Sequence, residues 1–297
     1  MTDPTRRILA CAALALCAAA PTFAQSTLDK VKDSGSITLS YREASIPFSY
    51  LDDKAQPVGF GVDICDRIVD EVKKATGRAD LKVQRQAVTS ANRIPLLVNG
   101  TIDLECGSTT NNSDRAKQVA FAINYFYTGT RFLVKADSGI KGLADLNNKV
   151  LVSTTGTTNF RILRNLITEQ KLPIELIGAK DHSESALLVE SGRAAAFGMD
   201  DILLYGLRAS ALNPASLAVV GDPIQVEPYA IMLRKDDPAF KKLVDGVLAS
   251  LIRSGDFEKL YRKWFQSPIP PKGINLNAPM GKELTDNLKA LSDKPAT

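Results

Sequence analysis

The chain has 297 residues, 44% of them hydrophobic and 24% charged, with a formal net charge of +4. That length allows one large domain or two of moderate size, and the composition is globular rather than disordered. Basic residues are scattered and no aromatic-rich basic stripe occurs, which argues against a nucleic-acid partner.

The first element is a targeting segment. Arg6 and Arg7 precede an Ala/Leu-rich run from Ile8 to about Ala20, and Thr22-Phe23-Ala24 offers small residues for cleavage. The pattern predicts a secretory signal peptide over residues 1–24, removed after Ala24. A membrane anchor would need ~20 apolar residues, more than this run supplies. Lipid attachment at Cys17 is disfavoured because Leu16 stands where a small residue belongs. No other run is long and apolar enough to span a bilayer, so the mature chain is expected to be soluble and exported.

Of the four cysteines, Cys11 and Cys17 leave with the signal, and Cys65 and Cys106 remain. An even number in an oxidising compartment permits one disulfide, and two buried free thiols are the alternative. Two cysteines with no histidine nearby make a poor zinc site, and neither metal nor cofactor is expected.

Beyond Ala24, strand and helix signals alternate. Ser36 to Tyr41 alternates like a strand and ends at Arg42. A helix from about Val62 to Thr76 carries Ile64, Ile68, Val69 and Val72 on one face. Leu81 to Gln84 is the next strand, and Ser90 to Arg93 opens a helix that stops at Asn99-Gly100. The apolar run Thr101 to Leu104 then leads, as a short strand, into Glu105-Cys106-Gly107-Ser108-Thr109-Thr110-Asn111-Asn112-Ser113-Asp114-Arg115. Ser113-Asp114 suits a helix start. Hydroxyls, free amides at a helix N-terminus and the Arg115 guanidinium together would cradle a carboxylate.

A second block repeats the alternation. Strands are expected at Thr130–Val134, Lys149–Val152, Ile174–Ile177, Ala194–Met199 and Tyr229–Leu233. Helices are expected from Ser153–Thr158 through Gln170, over Ser183–Ser191, after Asp200-Asp201, and from Pro238 to Phe265 with a break at Gly255. The Pro- and Lys-rich tail from Ser267 holds a further helix near Lys282 to Leu291. Such alternation predicts parallel sheets flanked by helices, and open sheets of this kind bind ligands beyond their strand ends. Arg42, Ser90 and Arg93, Ser108 to Arg115, Thr155 to Thr158, His182 and Asp200 all sit at such exits. Two lobes facing one cleft follow.

At this point the sequence resembles the polar amino-acid solute-binding proteins of ABC transporters. The resemblance runs through Pro47-Phe48-Ser49-Tyr50, Gly59-Phe60 with Asp63, Asn99-Gly100-Thr101-Ile102-Asp103, Arg115 with Phe121, and Gly156-Thr157-Thr158. Ser191-Gly192-Arg193-Ala194 with Asp200, Leu233 to Asp237 and Gly255 to Trp264 continue it, so it covers the mature chain in order. Thr89-Ser90-x-x-Arg93-Ile94-Pro95-Leu96, Glu105 to Asn112 and Ala179 to His182 are most similar to the glutamate/aspartate-binding branch.

The resemblance implies an α/β, two-lobed, type II periplasmic binding-protein fold, with two open sheets joined by a two-stranded hinge. The crossings fall near Tyr127–Thr130 and Gln225–Tyr229. Residues 25–128 and 227–297 then form lobe 1, and 129–226 form lobe 2. By the same resemblance Arg115 holds the ligand's α-carboxylate with Thr110 and Thr158, and Asp200 with Ser108 takes its α-ammonium. Arg42, Ser90, Arg93 and His182 hold a side-chain carboxylate. Three arginines and one aspartate suit L-glutamate or L-aspartate. The implied protein is a monomer that binds without catalysis and serves membrane permease subunits of an ABC importer. A periplasmic enzyme of the same fold, dehydratase-like on a small carboxylic acid, is the alternative, with His182 and Glu105 as its only candidate acid or base. A sensory module is disfavoured, since no membrane span or extra domain accompanies the fold.

Overall fold

The computed structural model describes residues 25–296, and the expected signal peptide lies outside them. Helix α1 (Thr27–Ser34) begins where the Ser26 hydroxyl accepts the Asp29 amide and ends at Gly35, at φ 66°. Strand β1 (Ser36–Tyr41) is followed by a short meander of β2 (Ala44–Ser45), β3 (Ser49–Leu51) and β4 (Pro57–Val58). Helix α2 (Phe60–Thr76) buries Ile64, Cys65, Ile68, Val69 and Val72 along one face. Gly59 is required at its start: φ is 139°, and a Cβ there would lie 2.3 Å from the Phe48 carbonyl oxygen.

Strand β5 (Lys82–Ala87) and helix α3 (Arg93–Val98) follow, and β5 pairs with β1 in parallel from Ser36↔Lys82 to Tyr41↔Ala87. The expected strand over Thr101–Leu104 is not a regular one. Only Leu104 and the following Glu105 enter the sheet, as single bridges to Leu39 and Met232. The helix expected after Asp114 is also shorter than its start signal implied. One 3₁₀ turn, Arg115–Lys117, gives way to β6 (Val119–Phe121), because Val119 and Phe121 point into the core and the backbone pairs with a later strand. Tertiary pairing outweighs the local signal there.

The second sheet uses β7 (Phe126–Lys135), β8 (Val150–Thr154), β9 (Glu175–Ala179), β10 (Ala196–Asp200) and β11 (Leu217–Val220) in the order β11-β7-β10-β8-β9. Helices α4 (Thr158–Glu169), α5 (His182–Glu190) and α6 (Asp201–Ser210) connect them. β8, β9 and β10 run parallel, whereas β7 and β11 are antiparallel to their neighbours. The edge strand β11 escapes sequence reading because its apolar run shows no alternation.

Strand β12 (Val226–Tyr229) returns the chain. It pairs with the first residues of β7, Phe126↔Tyr229 to Gly129↔Val226, while the rest of β7 pairs with β10 and β11. Strand β7 therefore extends the second sheet into a two-stranded ladder with β12, which carries the chain back toward the first lobe. The single strand expected at Tyr229–Leu233 is two pieces. At Ala230–Ile231 the pairing passes from β7 to β6, which takes β13 (Met232–Arg234).

Helices α7 (Pro238–Ser254) and α8 (Asp256–Phe265), divided at Gly255, pack back on the first lobe. Phe48, Phe126, Tyr261 and Phe265 form an aromatic cluster at the base of the ladder, with ring centroids of Phe126 and Phe265 5.0 Å apart. That packing anchors one end of β7. Helix α9 (Lys282–Ala290) and the residues after it strap onto Asn111–Asn124, with Asn287 donating to the Asn124 carbonyl and the Ala296 amide to that of Asn111. A disulfide joins Cys65 of α2 to Cys106, whose Cα lies 6.1 Å away.

Candidate functional site

The strand exits of the two sheets face each other, and the nine expected site residues, all buried, line the space between them. They form two groups. At one end, Arg42 follows β1, Ser90 and Arg93 precede and open α3, and His182 opens α5. Arg42 Nη2 donates to Ser90 Oγ at 2.9 Å and lies 3.4 Å from His182 Nε2 in the opposite lobe. Arg93 Nη1 donates to Thr109 Oγ1 at 2.5 Å and to the Ser108 carbonyl at 3.3 Å, and lies 3.8 Å from Glu105 Oε1.

His182 is set from behind. Its Nδ1 lies 2.8 Å from Thr154 Oγ1, which is 3.0 Å from Ser185 Oγ, and Ser185 Oγ donates to the Asp181 carbonyl. Each hydroxyl has one proton, so the chain runs consistently only if Nδ1 donates, leaving Nε2 as an acceptor for Arg42. Burial, with Arg42 and Arg93 beside it, holds His182 well below the usual histidine range and therefore neutral. The guanidinium of Arg42 is pushed down to about 10, by burial first and then by Arg93, which leaves it charged at neutral pH.

At the other end, Arg115 Nη1 donates to the Thr110 carbonyl at 2.9 Å, and Nη2 reaches the Gly156 carbonyl of the opposite lobe at 3.2 Å. Burial and then Arg93 push it down to about 9. Thr158 is the first residue of α4, which the Thr157 hydroxyl caps by accepting the Phe160 amide. Asp200 closes β10 and makes no cap bond, for Asp201 accepts the Ile202 amide instead. Asp200 accepts from Asn159 at 2.7 Å and from the Tyr229 hydroxyl. Burial and then the neighbouring Glu227 raise it to about 8.

Glu227 is the residue that sequence reasoning missed. It is 1% exposed on β12, and one of its oxygens accepts from Thr110 at 2.7 Å and from Thr158 at 2.6 Å. A faint signal exists in Val226-Glu227-Pro228, where the polar residue is buried and Val226 is exposed, the inverse of ordinary alternation. With Glu227 here and Glu105 beside Arg93, the cleft holds three arginines and three carboxyl groups, of which Asp200 keeps its proton near neutral pH. The excess positive charge expected from the sequence is confined to the Arg42–Arg93 end.

Five of the seven side-chain atoms buried without a hydrogen-bond partner among the described residues lie here: Arg42 Nη1, Arg93 Nε, Glu105 Oε1, Ser108 Oγ and Glu227 Oε1. Unmet hydrogen-bonding capacity is thus concentrated in the cleft, where a polar ligand would satisfy it. The lobes touch around it. Gly156, at φ 78°, approaches the other lobe so closely that a Cβ would sit 2.6 Å from Ala91 Cα. A cavity of about 240 Å³ lies beside Arg42 and His182, and one of about 400 Å³ beside Thr110, Thr158 and Glu227. Among the described residues no three His, Cys, Asp or Glu side chains converge as metal ligands.

Comparison with known proteins agrees with this architecture. The family profile described as bacterial extracellular solute-binding proteins, family 3, matches residues 37–267. An L-glutamate/L-aspartate-binding protein of Pseudomonas aeruginosa is 47% identical, with 97% of each chain covered. A glutamate/aspartate import solute-binding protein of Escherichia coli is 50% identical, covering 92% of this chain and 89% of its own. Among solved structures, a mutant of ArgBP from T. maritima superposes with a TM-score of 0.72 at 26% identity, covering 80% of this chain and 99% of its own.

Proposed function

This chain belongs to the bacterial extracellular solute-binding proteins, family 3, and we propose that it captures glutamate or aspartate between two closing lobes for an ABC importer. The carrying observation is the unequal charge of the cleft. At the Arg42–Arg93 end two guanidiniums face one carboxylate, Glu105, with His182 neutral. At the Arg115 end one guanidinium faces Asp200 and Glu227. An amino-acid zwitterion suits the second end, and a distal carboxylate suits the first.

Arg115 takes the α-carboxylate with Thr110 and Thr158, and Asp200 with Ser108 takes the α-ammonium. Arg42, Ser90 and Arg93 take the side-chain carboxylate, with His182 orienting Arg42. A glutamine side chain would leave a buried guanidinium poorly paired, at a cost on the order of 1–3 kcal/mol. The hinge lies in the β7–β12 ladder, so residues 25–128 and 227–297 move as lobe 1 and 129–226 as lobe 2. The protein acts in the periplasm as a monomer and hands its ligand to permease subunits without chemical change. The dehydratase-like alternative gains no support, because His182 is committed to Arg42 and Thr154 and Glu105 to Thr109 and Arg93.

Titration calorimetry against a panel of amino acids, with mass analysis of the recovered ligand, tests this reading. Tight binding of glutamate and aspartate, recovered unchanged, is the expected result. Preference for glutamine or a basic amino acid would overturn the ligand, and altered mass would overturn capture.

A further inference from the structure

We propose that Glu227 is a positioning residue that latches the closed cleft by taking the hydroxyl protons of Thr110 and Thr158 from opposite lobes onto one carboxylate oxygen. The inference rests on the reading of the cleft as an amino-acid site and adds a residue to it. Thr110 Oγ1 and Thr158 Oγ1 lie 2.7 and 2.6 Å from Glu227 Oε2, and 3.2 Å from each other. Thr110 precedes the first crossing, Thr158 opens α4 in the second lobe, and Glu227 sits on the returning hinge strand, paired in register with Thr128. The shared oxygen thus ties both lobes and the hinge at one point.

Proton counting gives the consequence. A threonine hydroxyl has one proton to donate. With both protons directed to Glu227, neither hydroxyl donates to a ligand carboxylate. Thr110 and Thr158 meet the ligand through main-chain amides, and at Thr158 that amide belongs to the open first turn of a helix. The three side chains are almost fully buried, and the low local dielectric strengthens the bonds. Glu227 acts on binding through closure, and its loss should appear chiefly as faster release. An acceptor oxygen is what the latch requires, so glutamine at this position supplies it and alanine does not.

The test measures glutamate affinity by calorimetry and release by stopped-flow fluorescence for the wild type, Glu227→Gln and Glu227→Ala, with circular dichroism as the folding control. Glu227→Ala should release glutamate about tenfold faster or more, with Glu227→Gln within about threefold of wild type. Wild-type release from Glu227→Ala, or equal weakness of the Gln and Ala variants, overturns the latch. If Glu227→Ala does not fold, Thr158→Val should show the fast release and Thr158→Ser should not; wild-type release from Thr158→Val overturns the proposal. A wild type that binds a different amino acid removes the dicarboxylate reading alone, since the same rates with that ligand still decide the latch. A wild type that binds no amino acid overturns both.

Discussion

The two ends of the cleft are built from similar parts and behave oppositely. Each pairs a buried arginine from the first lobe with a polar helix start from the second. At the Arg42 end the partners across the cleft are neutral, His182 and Thr154, and the cationic excess stays uncompensated. At the Arg115 end Asp200 faces the guanidinium from the second lobe and Glu227 from the hinge strand, and the cationic excess is absent. Burial strips both ends of water, so each is left with a charge preference that solvent cannot average away. On the proposed assignment, specificity resides in the end with neutral backing, while the acidic end serves what all amino acids share.

Breaking either end should give distinct losses. Arg93→Met should weaken glutamate and aspartate by ~2–5 kcal/mol while changing glutamine far less, because glutamine makes no ion pair there. Arg115→Met should weaken every amino acid alike. Calorimetry with glutamate and glutamine on both variants decides, and equal factors for the two ligands in Arg93→Met would erase the contrast.

The walls of the first end are also braced covalently. Cys106 immediately follows Glu105 and is bonded to Cys65, closing a sequence separation of 41 residues. Paired Cys65→Ser and Cys106→Ser changes should lower unfolding free energy by ~2–4 kcal/mol. Thiol titration of the denatured, unreduced protein should find none free, and two per chain would contradict the bond.

The ends also titrate in opposite directions. His182, held below its ordinary 6.5, contributes stability that is present above that pH and is lost as pH falls. Asp200, raised from 3.8 to about 8, contributes stability that is present below pH 3.8 and is lost as pH rises through about 8. Melting temperature against pH should show the fall below pH 6.5 flattened in His182→Gln, and the fall between about 4 and 8 flattened in Asp200→Asn. An incoming α-ammonium supplies Asp200 with a counter-charge. Glutamate binding near pH 7 should therefore release up to about one proton, read from calorimetry in buffers of different ionisation enthalpy. Asp200→Asn should abolish that release; buffer-independent heats in the wild type would exclude it.

The smallest effect should come from a contact outside both ends. Lys272 of the tail donates to the Ser210 and Ala211 carbonyls at 2.7 and 2.9 Å, at the C-terminus of the helix that follows Asp200. Lys272→Ala should weaken all ligands by only about two- to fivefold, through loss of a cation at a helix end. A selective loss for dicarboxylates would mean that closure and specificity are not separable in the way the two ends suggest.

Helix starts and strand exits were the legible part of the site. Thr157-Thr158 and Asp200-Asp201 stand at helix starts expected from the sequence, each beside a proposed site residue, whereas the helix expected at Ser183 begins one residue earlier, at His182, capped by Asp181. Reading failed where a long-range partner set the local structure. After Asp114 the chain becomes a strand because β13 is beside it, and the Tyr229–Leu233 run divides because its two halves pair with different strands.

By itself the sequence determined the alternation of elements, their caps and the residue types presented at strand exits, all of which depend on neighbours within a few positions. Tertiary structure alone decided which exits meet. It brought Glu227 and Glu105 to the arginines, made His182 neutral, and bonded Cys65 to Cys106. The physical reason is that a buried charge takes its value from groups distant in the chain, through desolvation and Coulomb terms that exist only once the lobes have closed around it.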